Sequence, residues 1–381
     1  MIKILICGDY CPQDRVQDLI EKENYERVFG EICRYISNVD YSIVNLEAPV
    51  VESEIVPIKK CGPNLKCSSK AISALRYAGF NMVTLANNHF YDFGDAGVLD
   101  TLTTCKKNGL DTVGGGINLK EASHILYVDI KGLKFAFINC CEHEFSIAEE
   151  TSGGSNPLNP IQQYYVLQEA KKYADRIIVI VHGGHEHCQL PSPRMKEIYR
   201  FFIDTGADVV INHHQHCYSG YEVYKRKPIF YGLGNFCFNR DNNKNHFWNE
   251  GYMVELKFEE DQVGFNIIPY LQGLENPGVL LIKDETLLKN FNSSIACLNE
   301  IISNDEKLCQ LHKEWMKNKS KYFKLALEPY SGRVFSSLYM RNLLPSFMTE
   351  KKILKILNYI QCESHLDRLR FIIKENLNNS Q

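Results

Sequence analysis

Polar residues of the kind that bind metal ions are scattered along the first 220 positions of this sequence. They are two carboxylates, one amide and several imidazoles, namely Asp9, Glu47, Asn88, His89, His182 and the run His213, His214, Gln215 and His216. Carboxylate, amide and imidazole groups are the ligands that borderline divalent metals such as Mn, Fe, Zn or Co prefer. A carboxylate such as Glu47 can bridge two ions roughly 3.5–4 Å apart, as in two-metal hydrolases.

The histidines are grouped rather than spread evenly. Seven of the twelve lie at positions 89, 182, 185, 187, 213, 214 and 216. His214 and His216 are two residues apart, so in an extended segment both side chains point the same way. Taken singly, each candidate has a structural explanation, since an Asp after a glycine or an Asn pair usually forms a turn. Together they favour a metal site.

The candidates share a position relative to the predicted secondary structure. Each one directly follows a short apolar run that predicts a strand, at residues 3–7, 41–46, 80–85, 176–181 and 207–211. In open α/β sheets, sites form in the crevice beyond the carboxyl ends of the strands. We therefore expect residues that are far apart in sequence to converge there.

The remaining pattern predicts an α/β domain over residues 1–272 and an all-helical region over residues 276–381. In the domain, helical periodicity at 69–77 and 195–204 alternates with strands, and residues 125–130 and 135–139 predict a hairpin. Short strands at 221–224, 228–231, 251–258 and 263–270 are joined by turns, which indicates an antiparallel part of the sheet. The helical region shows periodicity at 285–304, 305–322 and 350–377. The Ser-, Gly- and Pro-containing stretch 149–160 predicts a loop that could act as a lid.

Composition narrows the class of protein. The formal net charge is −3, with 44% hydrophobic and 23% charged residues, so no global field favours nucleic acid. The apolar run at the start is too short for a signal peptide or membrane span, and no later run is long enough. None of the 14 cysteines forms a Cys-x-x-Cys pair. We expect reduced thiols, a cytoplasmic location and no stable membrane insertion.

Six motifs follow one another along the first 240 residues. The first three are Gly8-Asp9, Asn45-Leu46-Glu47-Ala48-Pro49, and Ala86-Asn87-Asn88-His89 with Asp92 and Gly94. The later three are His182-Gly183-Gly184-His185-Glu186, the segment 204–216 ending in His213-His214-Gln215-His216, and Tyr231-Gly232-Leu233-Gly234-Asn235-Phe236. In this order they resemble the motifs of the CapA-type poly-γ-glutamate and capsule biosynthesis proteins of the calcineurin-like metallophosphatase superfamily. The resemblance covers roughly the first 240 residues and stops before the helical region.

The resemblance implies a four-layer α/β/β/α sandwich and a role for each candidate residue. Asp9 and His216 would bind one metal, Glu47 would bridge, and Asn88, His182 and His214 would bind the second. His89 would be the general acid or the group that stabilises the transition state. Glu186 is the second catalytic candidate, and with His185 and His187 it either faces substrate or forms a polar rim.

Two positions depart from the family pattern. Cys11 stands where the superfamily often has a histidine, and either ligates the first metal or is a buried thiol. Gly183 stands where the family has tryptophan, which removes a stacking surface from the substrate side.

The resulting hypothesis is a metal-dependent hydrolase whose two-metal site activates a hydroxide. Its substrate would be a phosphoester or a glutamyl amide, in a small molecule or a polymer of capsule metabolism. Only Arg194 and Arg240 lie near the motifs, so the sequence does not separate these two chemistries. The alternative is a non-catalytic accessory subunit of a capsule or poly-γ-glutamate assembly system, which uses the C-terminal helices to bind a partner or to oligomerise.

Overall fold

Alternating apolar runs and amphipathic segments give a structure of two sheets covered by helices. The structure, a computed structural model, describes residues 1–239, 246–260 and 262–378, so Arg240 lies outside the described residues. The strands are β1 (Ile2–Tyr10), β2 (Tyr41–Leu46), β3 (Met82–Thr84), β4 (Asp111–Val113), β5 (Gly115–Gly116), β6 (Leu126–Ile130), β7 (Leu133–Cys141), β8 (Gly154–Ser155), β9 (Arg176–His182), β10 (Val209–His213), β11 (Tyr221–Tyr224), β12 (Lys227–Phe230), β13 (Asn235–Cys237), β14 (Glu250–Glu259), β15 (Gln262–Gln272) and β16 (Val279–Leu281).

The helices divide into those that flank the sheets and those that follow them. The former are α1 (Asp14–Glu21), α2 (Tyr25–Phe29), α3 (Ile32–Ser37), α4 (Ser69–Ala78), α5 (Gly94–Lys107), α6 (Leu119–Ala122), α7 (Pro160–Tyr173) and α8 (Pro193–Thr205). The latter are α9 (Glu285–Ser303), α10 (Asp305–Leu327), α11 (Gly332–Met340), α12 (Glu350–Gln361) and α13 (Glu363–Asn378). A short 3-10 helix, His246–Trp248, precedes β14.

The first sheet has the strand order β16-β15-β14-β1-β2-β3-β4, and β13 also pairs with β1. Strands β1 to β4 are parallel, whereas β14, β15 and β16 are antiparallel. The second sheet has the order β11-β12-β10-β9-β7-β6, with β7, β9, β10 and β12 parallel. The carboxyl ends of the parallel strands thus lie at one edge of each sheet, where the candidate residues were expected to meet.

The side chains of each strand alternate between two apolar layers. Ile4, Ile6 and Ile43 of the first sheet share one buried cluster with Phe137 and Ile180 of the second, so the sheets pack face to face. The alternate residues of the first sheet pack on α1 and α4, and those of the second sheet pack on α7 and α8. The predicted α/β/β/α order is confirmed, and so is the hairpin, which is the antiparallel pair β6 and β7.

The chain divides into two compact units, Met1–Cys309 and Gln310–Gln381. The predicted boundary at residues 272–276 lies before α9, but α9 belongs to the first unit. Its apolar side chains Phe291, Ile295 and Leu298 are buried in the cluster between the sheets. A helical pattern shows that α9 is a helix, but it does not show which core the helix completes.

The stretch 149–160 is not a lid. Ser155, in β8, is fully buried, and β8 pairs with β5. The Ser155 hydroxyl donates to the carbonyl oxygen of Asn87 over 2.8 Å and accepts from the Asn87 amide over 3.2 Å. This segment therefore supports the Asn88-His89 motif through buried hydrogen bonds. Its serine and glycine residues predicted a loop, but they fit a buried polar contact equally well.

The second unit is helical. Among its described side chains, Glu328 is the one that is buried, and it accepts hydrogen bonds from Ser346, Tyr339 and the amide of Phe347. Across residues 1–239, 246–260 and 262–378, no helix is both long enough and apolar enough to cross a bilayer.

Candidate metal centre

Five strand ends bring the candidate side chains into one buried cluster. Asp9 lies at the end of β1, Glu47 follows β2, and Asn88 follows β3. His182 ends β9, and His214 follows β10. All of these residues are less than one tenth exposed, and Glu47 is fully buried. The structure therefore brings together residues that are up to 205 positions apart, as the amide of His214 and the carboxylate of Asp9 are.

The first group of converging ligand atoms is formed by Asp9, Glu47 and His216. Their ligand atoms lie within 4.8 Å of one another. His216 Nε2 is 3.5 Å from Glu47 Oε1, and His216 Nδ1 is 3.7 Å from Asp9 Oδ2. Two carboxylates and an imidazole, all buried, form a set that can hold a divalent cation.

The second group is formed by Glu47, His182 and His214, again with ligand atoms within 4.8 Å of one another. His182 Nε2 lies 3.8 Å from Glu47 Oε1, 3.1 Å from His214 Nδ1 and 3.0 Å from the side-chain oxygen of Asn88. The two nitrogens and the amide oxygen thus face one small volume. Glu47 belongs to both groups, so its carboxylate occupies the place that a ligand bridging two ions would take.

The electrostatics of the cluster suit cation binding. Burial by itself would raise the pKa of Asp9, but the hydrogen bond and charge of His213, aided by His182 and His216, lower it. Burial lowers the pKa of His216 to about 4, although Asp9 opposes the shift, and burial also lowers the pKa of His182. At neutral pH the cluster therefore holds an ionised Asp9 carboxylate and neutral imidazoles at His182 and His216, which are the protonation states that bind metals.

Two asparagines orient the ligands, and the sequence did not single them out. Asn45 Nδ2 donates to Asp9 Oδ1 over 2.8 Å and lies 3.3 Å from His182 Nδ1. Asn235 Oδ1 lies 2.9 Å from His216 Nδ1. Contacts of this kind fix the ring orientation and the tautomer of a ligating histidine. Both asparagines stand within the motifs noted above, at strand ends, so their position was the available signal.

The His214–His216 segment differs from the extended conformation that was expected. His214 has φ 92° and His216 has φ 54°, both in the left-handed region that non-glycine residues rarely adopt. The two rings consequently do not serve one group: His214 belongs with His182, and His216 belongs with Asp9. Strained backbone at converging polar side chains is a feature of functional sites.

Residues 3–240 match the family model described as bacterial capsule synthesis protein PGA_cap. The chain belongs to this family. It is 32% identical over 247 residues to the capsule biosynthesis protein CapA of Bacillus anthracis, covering 63% of this chain and 60% of that protein. It is 31% identical over 237 residues to the PGA biosynthesis protein CapA of Bacillus subtilis (strain 168), covering 61% of this chain and 62% of that protein.

This PGA_cap chain therefore spans about three fifths of the length of these two relatives. Among solved structures it is similar to one titled a novel phosphatase from Mycoplasma pneumoniae, with 18% identity and a TM-score of 0.44, covering 76% of this chain and 98% of that one. The PGA_cap chain thus combines an α/β fold of two packed sheets with a buried His, Asp and Glu cluster.

His89 of this PGA_cap chain belongs to a buried network of charged side chains formed with Asp92 and Lys60. His89 Nδ1 lies 2.7 Å from Asp92 Oδ2 and 3.1 Å from Lys60 Nζ, and Lys60 forms an ion pair with Asp92. The other catalytic candidate, Glu186, has a half-exposed side chain at the rim. Burial raises the pKa of Glu186, but the charges of His216, His214, His187 and His89 lower it overall. Glu186 Oε2 lies 3.9 Å from His187 Nε2.

The two departures from the family pattern have structural counterparts in this PGA_cap chain. Cys11 is fully buried and belongs to neither group of ligand atoms found among the described residues. At Gly183, an added Cβ would lie 2.7 Å from Cγ of Glu142. Glu142 accepts from the Gly184 amide over 3.1 Å and pairs with Arg194. A larger side chain at residue 183 would therefore have to displace the Glu142 side chain from this position.

Proposed function

We propose that this PGA_cap-family protein is a hydrolase with a dinuclear metal centre, and that it acts on a phosphoester. The observation that carries the proposal is the sharing of Glu47 by two groups of buried ligand atoms. Two ions bridged by a carboxylate can clamp the attacking and leaving oxygens of an in-line displacement, which suits phosphoryl transfer.

The residues of the chain would divide the work as follows. Asp9 and His216 would hold one ion, His182, His214 and Asn88 the other, and Glu47 both. When bound, such ions supply an activated water and neutralise developing negative charge. Asn45 and Asn235 would keep the ligating rings and the Asp9 carboxylate in place.

His89, protonated on both ring nitrogens, would give its Nε2 proton to the leaving group and remain as the neutral ring with its hydrogen on Nδ1. Its Nδ1 is held by Asp92, so Nε2 on the opposite side of the ring is the atom left to act on a ligand. Imidazole suits proton transfer near neutral pH. Glu186 would contact the substrate at the rim, where its carboxylate faces several imidazoles.

The proposal is tested with purified protein loaded separately with Mn, Fe, Zn or Co. The substrates are p-nitrophenyl phosphate, bis-p-nitrophenyl phosphate and γ-glutamyl-p-nitroanilide, the last as the probe for a glutamyl amide. We expect metal-dependent release of p-nitrophenol, and loss of turnover and of one of the two bound ions in His214→Ala. His124→Ala, at an exposed histidine outside the cluster, is the control. Equal activity and metal content in wild type and His214→Ala would overturn the proposal.

A second candidate function is that of an accessory subunit which binds a partner through the C-terminal helices. The exposed apolar face of α12 favours it. Leu354 and Leu357 on this helix are 58% and 45% exposed. We expect Leu357→Glu to lower the molar mass measured by light scattering, or to abolish capture of a partner, with the matched control Lys355→Glu unchanged. If neither variant alters molar mass or capture, this candidate fails.

A further inference from the structure

Lys60 is a buried lysine for which the roles assigned above leave no task. Its side chain is 3% exposed, and that of its partner Asp92 is fully buried. Lysine is almost never fully buried unless it is paired, because desolvation of the ammonium is costly. Lys60 lies in the segment between β2 and α4, which is neither helix nor strand around this residue. Its burial beside His89 therefore calls for a physical reason.

Asp92 is the centre of this arrangement. Its carboxylate accepts from the Leu65 amide over 2.7 Å, is 2.7 Å from His89 Nδ1 and pairs with Lys60. Its carbonyl oxygen accepts from the Ile58 amide over 2.9 Å. The segment 58–65 is thus fastened to the same aspartate that holds the ring of His89.

The chemistry of these groups fixes where the protons lie. The Lys60 ammonium can only donate, and an ionised Asp92 can only accept. At 2.7 Å from that carboxylate, His89 Nδ1 must carry the hydrogen, so Lys60 Nζ at 3.1 Å does not bond to Nδ1 but donates to the other oxygen of Asp92. The ammonium therefore holds the carboxylate, and the carboxylate holds the Nδ1–H tautomer of His89.

We propose that Lys60 is a positioning residue of this centre: through Asp92 it locks the Nδ1–H tautomer of His89, presents Nε2 to the metal cluster, and couples that orientation to the order of segment 58–65. The expected effect on kcat rests on the proposed function, whereas the expected effects on the His89 tautomer and on segment 58–65 do not. Partners that orient the histidine ligands of a metal are typically worth about 10–100-fold in activity, and we expect a loss of the same order when the support of His89 is removed.

The experiment compares Lys60→Met, Lys60→Arg and the matched control Lys59→Met, whose lysine is the exposed neighbour on the same segment. We expect equal metal content in all three proteins. In Lys60→Met, kcat for p-nitrophenyl phosphate falls about 10–100-fold with KM nearly unchanged. Lys60→Arg recovers part of the loss because it keeps the charge, and Lys59→Met matches wild type.

A readout without turnover keeps this test separate from the proposed function. In metal-free protein labelled with 15N-histidine, the wild type and Lys60→Arg should show His89 as the Nδ1–H tautomer, assigned by comparison with His89→Gln, and Lys60→Met should show a mixture. The amides of Ile58 and Leu65 should exchange faster in Lys60→Met. If the wild type has no hydrolytic activity but Lys60→Met still differs from it in tautomer and amide exchange, the hydrolase proposal is refuted and the role of Lys60 is supported.

The opposite results refute the role of Lys60. If the amides of Ile58 and Leu65 exchange faster in Lys60→Met but the His89 tautomer and kcat stay those of the wild type, the lysine only stabilises segment 58–65. If Lys60→Met does not fold, Lys60→Arg decides, because a wild-type tautomer there supports the positioning role and a mixture contradicts it.

Discussion

Replacing Glu47 by Gln should remove the effect of metal ions on the stability of this protein. The substitution keeps the shape of a fully buried side chain and removes the charge that both groups of ligand atoms share. One ion present at 100 times its dissociation constant stabilises the folded state by about 2.7 kcal/mol. For the unit Met1–Cys309, an unfolding entropy of about 2.1 cal/mol/K per residue gives about 0.65 kcal/mol/K, and hence a rise in Tm of about 4 °C per bound ion.

If Glu47→Gln raises each dissociation constant about 100-fold, each ion at the same metal concentration stabilises the protein by only about 0.4 kcal/mol. The rise in Tm per ion then drops below about 1 °C. The assay is a thermal scan of each protein with EDTA and with Mn or Zn, and the quantity compared is the metal-induced change in Tm, because the substitution also alters the metal-free protein.

His214→Ala and His216→Ala should each lose one ion by elemental analysis, and Glu47→Gln should lose both. Loss of a single ion in Glu47→Gln would refute the bridging position.

Three further predictions concern the groups around the cluster. His89→Gln should keep its metal content and lose about 10²–10⁴-fold in kcat, as expected when a general acid is removed; unchanged kcat would refute the role. Gly183→Ala should cost about 1–3 kcal/mol in urea unfolding because its Cβ meets Glu142, and much less in a Glu142→Ala background; an equal cost in both would show that this contact is not the cause. The pKa of His216 is lowered to about 4, whereas an unfolded histidine titrates near ~6.5, so the unfolded chain takes up the proton first. In EDTA, stability should be full above about pH 6.5 and fall toward pH 4; His216→Gln should flatten this slope, His124→Gln should not, and an unchanged slope in His216→Gln would contradict the assignment.

The sequence was sufficient for the parts of the fold that depend on local pattern. Residues 3–7 and 41–46 alternate between two apolar faces, and this is what places β1 and β2 between two layers. The extent of the first unit was not predictable in the same way. The apolar stripe of α9 is equally consistent with packing against other C-terminal helices, and only the three-dimensional structure shows that Phe291 completes the cluster between the sheets.

The cluster itself was predictable in composition but not in geometry. Strand ends indicated which side chains meet, because parallel strands share an edge. The division of His214 and His216 between two groups depends on left-handed backbone at both residues, which no periodicity in the sequence signals. Lys60 could not be singled out at all, since a lysine pair in an irregular segment is normally solvated, and its burial arises from a contact 32 residues away in the chain.

The separation of the ligands along the chain has a consequence for the order of events during synthesis. Asp9 is synthesised long before its partners, because its amide bonds to Gly234 and its carboxylate accepts from an amide 205 residues later. Contacts of such high sequence separation form slowly, after much of the chain entropy has been lost. A nascent chain therefore cannot use an ion to nucleate its folding, as a zinc finger does. An ion held by this cluster would enter a pocket already built, and its loading would depend on how readily the finished protein opens rather than on metal availability during translation.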